Sequence, residues 1–106
     1  MTLTSTPGKT AGSRILKLEG PLTLSNLFAF QDELRKEATT TILDLSDVPY
    51  MDSAGMGAII NYYVGCQRNG RKLLVAGSNY RVLELFKLTK VDQLITLVDN
   101  VEAAEA

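Results

Sequence analysis

Two short runs limit what this chain can fold into more than any other feature. Thr39-Thr40-Thr41-Ile42-Leu43-Asp44-Leu45 is β-branched and then almost continuously apolar, and Lys72-Leu73-Leu74-Val75-Ala76-Gly77 is a second such run. Strands without polar alternation are covered on both faces, the condition of a parallel sheet with helices packed on it. Parallel neighbours need a crossover, and the segment between the runs supplies one. From about Ala54 to Arg68, Met56, Ile59, Ile60, Tyr63 and Cys66 recur at spacings of three and four, a stripe expected to face the core. Gly70 stops that helix.

The remaining segments extend the pattern. Arg14 to Glu19 alternates apolar and polar residues, as a strand does with one face on a core, and Gly20-Pro21 ends it. A helix is expected from Thr23 or Ser25, with Leu24, Leu27, Phe28, Phe30 and Leu34 at helical spacing and Gln31, Asp32, Arg35 and Lys36 opposite. Ser46 to Pro49 turns the chain out of the first apolar run. Ser78 or Asn79 caps a third helix carrying Val82, Leu83, Leu85, Phe86 and Leu88, followed by a short strand from Leu94 to Val98. Asp99 with Glu102 resembles a capping box for a terminal helix. The polar residues 1–12 include Thr2 to Thr6, expected to pair antiparallel beside Arg14 to Glu19 as an edge strand. The fold class expected is α/β, with a mixed, mostly parallel sheet.

Composition narrows the function. A chain of 106 residues, 45% hydrophobic and 22% charged, fits one domain with one core. Eleven basic against twelve acidic residues leave a net charge of -1, which gives no long-range attraction for nucleic acid or an anionic membrane. Histidine is absent, which removes the commonest general base and metal ligand and the Ser/His and Cys/His pairings of nucleophilic enzymes. Cys66 is the only cysteine, so no intrachain disulfide or cysteine-rich metal site can form; a buried, inert thiol in a reducing compartment is expected. The first 13 residues lack the apolar core of a secretory leader, and no apolar run approaches the roughly 18 residues of a membrane span. These readings predict a cytoplasmic protein with no catalytic residues, no metal and no cofactor. An enzyme resting on Asp44 and Asp52 would need a pocket that so short a chain hardly encloses. Gly65 to Gly70 has the glycine spacing of a phosphate-binding loop, but it lacks the Lys-Ser/Thr ending and joins a helix to a strand, the reverse of what such a loop requires.

Tyr50-Met51-Asp52-Ser53-Ala54-Gly55-Met56-Gly57 lies between a buried strand and a helix start, where open α/β sheets gather their binding sites. Asp52 or Ser53 suits the helix N-cap, with Met51 packing on Met56 if Asp52 is the cap. A cap alone does not explain Gly55 and Gly57, each costing about 0.5–1 kcal/mol relative to alanine inside a helix. Close approach of another surface does. The outward stripe of this helix holds Gly57, Asn61, Tyr62, Gly65 and Arg68, small or uncharged until its far end, a face that suits docking.

Ile42-Leu43-Asp44-Leu45 followed by Tyr50 to Gly57 resembles the signature of STAS domains of the anti-sigma factor antagonist family. Gly70-Arg71-Lys72-Leu73-Leu74-Val75, Val82 to Thr89 and Leu94 to Val98 also match its pattern, so the resemblance covers nearly the whole chain. It implies a single STAS domain over 1–106, with a sheet of four to five strands and about four helices. It also implies a bacterial switch protein that is no enzyme. In such a protein Ser53 is phosphorylated by a serine kinase that is also the anti-sigma factor, and a serine phosphatase reverses the modification. The resemblance places Asp52, Ala54, Gly55, Met56 and Gly57 in the kinase-docking loop. Asn61 and Tyr62 join them from the outward stripe. Thr23 stands where the family often has an acidic residue, and Ala54 where Ser or Thr is common, which leaves Ser53 the only serine or threonine hydroxyl of the block. STAS-like folds also serve as non-switching scaffold subunits of stressosome-like or lipid-transport complexes.

Overall fold

A computed structural model describes residues 1–105. Strands β1 (Thr2–Pro7), β2 (Ser13–Glu19), β3 (Thr40–Asp47), β4 (Lys72–Ala76) and β5 (Thr96–Val98) form one sheet in chain order. The first pair is antiparallel and the other three are parallel. The edge pairing expected for Thr2 to Thr6 is present, with Leu3 opposite Leu18. Helices α1 (Leu27–Leu34), α2 (Ser53–Arg68), α3 (Tyr80–Leu88) and α4 (Val101–Glu105) complete the α/β architecture.

Alternation along the strands sorts the two faces. Leu16 and Leu18, Leu43 and Leu45, and Leu73 and Val75 join one core with Phe30 and Leu34 of α1, Met56, Ile59 and Cys66 of α2, and Val82 and Phe86 of α3. Burying a Leu or Phe side chain contributes about 1.5–3 kcal/mol. The short α4 crosses the other face, where Ala104 and Ile42 line a common hollow.

Several boundaries differ from the sequence expectations, each for a local reason. The segment after Thr23 begins as a 3-10 turn, Leu24–Asn26, and becomes α-helical only at Leu27. Its apolar stripe divides: Phe30 and Leu34 are buried and Leu27 is half-buried, but Leu24 and Phe28 are 73% and 76% exposed. At about 100° per residue, positions 27, 30 and 34 fall within roughly 60° of one another and Phe28 turns off that arc. Ile60 and Tyr63 are half-buried, and Leu88, at the end of α3, is exposed. The last strand starts at Thr96 because Val91–Gln93 forms a 3-10 turn that puts Val91 and Ile95 in the core and leaves Leu94 outside. The terminal cap belongs to Asn100, whose Oδ1 accepts the Ala103 N–H at 2.8 Å, and not to an Asp99–Glu102 box.

Candidate functional site

Three connections meet at the carboxyl ends of β2, β3 and β4. The segment after β2 runs parallel to the one after β3: the Leu22 N–H donates to the Tyr50 carbonyl, and the Asp52 N–H donates to the Leu22 carbonyl at 3.2 Å. Asn79, the N-cap of α3, closes the other side. Its Nδ2 donates to the carbonyls of Val48 and Pro49, and its Oδ1 accepts the Val82 N–H. The loop carrying Ser53 is thus held from both flanks.

Asp52 is the cap of α2, and it serves two elements. Oδ1 accepts the Gly55 N–H at 2.9 Å, and Oδ2 accepts the Leu24 N–H at 3.0 Å, the first residue of the 3-10 turn before α1. The Gly55 N–H, followed by that of Leu24, holds the carboxyl below the usual carboxylate range. Met51 and Met56, flanking the cap as a staple pair would, both lie in the core.

Ser53 is the first residue of α2 and is exposed. The Asp52 N–H goes to Leu22 and the Gly55 N–H to Asp52; the Ala54 N–H also lies near the Asp52 carboxyl, which leaves the Ser53 N–H at this terminus without a partner among the described residues. The two glycines part company. A Cβ on Gly55 would lie 2.5 Å from the Leu22 carbonyl oxygen and 2.9 Å from Leu22 Cγ, so the close approach is made by this chain's own backbone. A Cβ on Gly57 would meet nothing within 4 Å.

The structure divides the docking residues read from the sequence. Ser53, Gly57 and Asn61 are exposed along one side of α2, and Thr23 and Ala54 are partly exposed beside them. Gly55 and Met56 are buried, so they shape the loop from beneath and present no surface to a partner. Tyr62 is half-buried with its hydroxyl turned inward, 2.9 Å from Thr41 Oγ1 and 3.1 Å from Arg14 Nη2. Its ring is mainly structural.

Leu24 and Phe28, which helical spacing puts on the apolar stripe, are surface residues. They stand exposed one turn apart, at a segment tied to Asp52 through the Leu24 N–H. The available signal was angular: Phe28 leaves the arc of Leu27, Phe30 and Leu34. On the far flank Tyr50 and Tyr80 are exposed, and the Arg81 guanidinium lies 5.4 Å from the Tyr50 ring centroid. Asp44 belongs elsewhere, with Oδ1 accepting from the Ser46 N–H and hydroxyl in a hollow shared with Asp99 and Glu102. Asp44 and Asp52 therefore form no common site.

Comparison with known proteins identifies the fold. The family model described as STAS domain matches residues 6–104. The chain is 31% identical over 67 residues to the anti-sigma-B factor antagonist of Listeria monocytogenes, a match covering 63% of this chain and 58% of that protein. Among solved structures it resembles a Thermotoga maritima protein described as a candidate anti-sigma factor antagonist, with a TM-score of 0.87 and 25% identity over 96% of this chain and 90% of that one. A sulfate transporter family protein of Wolinella succinogenes shares the fold, with a TM-score of 0.76 and 22% identity over 91% of this chain and 84% of that one.

Proposed function

The chain belongs to the STAS domain family, and from that membership we propose that it is an anti-sigma factor antagonist, a binding switch turned off by phosphorylation of Ser53. Its partner is a serine kinase that doubles as the anti-sigma factor, and a serine phosphatase restores the active form. Such a partnership places the chain in the cytoplasm and asks no catalysis of it. The observation that carries this reading is the exposed Ser53 hydroxyl at the first position of α2, on a loop already anchored by Asp52 and Asn79.

The kinase transfers the γ-phosphoryl of ATP to Ser53 Oγ, and the hydroxyl proton leaves. The product adds about -1.5 to -2 charges at pH 7, more than the net charge of the whole chain. Within the domain the new anion is tolerated. It sits at a helix N-terminus, which stabilises a negative charge by about 0.3–1 kcal/mol and offers the N–H of Ser53. At a close-packed interface the same group must be desolvated beside Asp52, and a broken buried polar match costs about 1–3 kcal/mol. The open space over Gly57 and the apolar pair Leu24 and Phe28 make the surface around Ser53 suited to such packing.

The test is titration of the partner kinase with unmodified protein, Ser53→Ala, Ser53→Asp and enzymatically phosphorylated protein. Unmodified and Ser53→Ala chains should bind, while Ser53→Asp and the phosphoprotein should bind about ten- to a hundredfold more weakly. Equal affinities for all four, or phosphate mapped to another residue, would favour a non-switching scaffold.

A further inference from the structure

Beyond Ser53, α1 and α2 flank a groove of about 400 Å³ that touches the docking face only at Asn61 and Gly65. Its apolar floor is Leu34, Ala58 and Cys66. Arg35 and Arg71 stand at its walls with the amides of Gln31 and Asn61, and among the described residues no carboxylate lines it. The lining thus carries two guanidiniums and no carboxylate, although each guanidinium has an exposed acidic neighbour outside the groove.

A third guanidinium reinforces them from behind. Arg14 is 7% exposed and donates to Thr41 Oγ1 at 3.0 Å, to the Glu33 carbonyl at 3.1 Å and to the hydroxyl of Tyr62, itself a lining residue. All three partners are neutral, so this buried cation has no counter-charge of its own. Arg35 meets Asp32 at 4.0 Å and Arg71 meets Glu37 at 3.2 Å, but those carboxylates are 66% and 83% exposed and a bound anion can displace them. The groove also stays open at a residue that gains nothing structural from being small: a Cβ on Gly65 would meet nothing within 4 Å.

We infer that this groove is a binding site for a small organic anion, a carboxylate or phosphate on a compact apolar body. The anionic group pairs with Arg35 and Arg71, and the body lies on Leu34, Ala58 and Cys66. The inference does not rest on phosphorylation of Ser53, although Asn61 belongs to both surfaces.

The probes are hexanoate and phenyl phosphate, which separate the two head groups, with hexanamide as the neutral counterpart. They are titrated into the intact chain and followed by amide chemical shifts. At least one anion should shift Gln31, Asn61 and Gly65 saturably, with a Kd of about 1 mM or tighter, and hexanamide should bind at least about tenfold more weakly. Arg35→Gln with Arg71→Gln should weaken anion binding by about tenfold or more. Gly65→Leu should fill the groove and abolish it in a chain whose spectrum otherwise stays folded. The inference is overturned if neither anion gives saturable shifts at these residues, if hexanamide binds equally well, or if the arginine-free groove binds as tightly.

Discussion

Within one helical turn the two glycines of the Ser53 loop answer to different masters. Gly55 is glycine because Leu22 leaves no room for a Cβ, so Gly55→Ala should lower the melting temperature and loosen the contact between the Leu22 and Asp52 segments. Gly57 has open space around it, so Gly57→Ala should raise stability by about 0.5–1 kcal/mol in a urea melt, and Gly57→Arg should leave the fold intact while abolishing kinase binding. Asp52 adds a pH dependence whose sign is fixed. Its folded-state pKa is depressed, chiefly by the Gly55 N–H and then the Leu24 N–H, so its contribution is fully present above the unfolded value near 4 and disappears as pH falls through the lower folded value. Asp52→Asn should flatten that part of the acid limb in melts followed from neutral pH downward. An unchanged limb would mean that the two bonds do not persist in solution.

The elements were legible from sequence wherever one period dominated. β3 and β4 declared themselves as almost continuously apolar runs, and β2 as an alternation, because a covered face and a half-covered face impose different patterns. α1 was legible only in part: counting steps of three and four places Phe28 with the core residues, and only its angle takes it out. Tyr62 was misplaced for another reason. The groups that turn its hydroxyl inward are Thr41 and Arg14, 21 and 48 positions away, and no local window brings them together. Arg14 itself occupies a core-face position of β2, where alternation gives no hint that a guanidinium is buried. At this scale Tyr62→Phe should destabilise the domain by about 1 kcal/mol, the usual net worth of such bonds, without altering the kinase surface. Leu24→Glu with Phe28→Glu should do the reverse, leaving the melting temperature nearly unchanged and weakening kinase binding by tenfold or more on calorimetric titration.

Over the whole molecule the sheet follows chain order, and its two ends are differently occupied. β1 runs back along β2, so Thr2 pairs with Glu19 at the carboxyl end of the parallel strands, where Gly20 leads toward Thr23 and the Ser53 loop. α4 runs the other way across the back, and at its end Glu105 Oε2 accepts the N–H of Lys9 at 2.6 Å, beside the turn that joins β1 to β2. Thr2 and Glu105 therefore lie at opposite poles of the sheet. A fluorophore or affinity handle fused ahead of Met1 would crowd the very surface a binding assay is meant to read. One attached behind α4 would hang from the far pole and let a sensor chip or bead present Ser53 unobstructed to whatever kinase is passed over it.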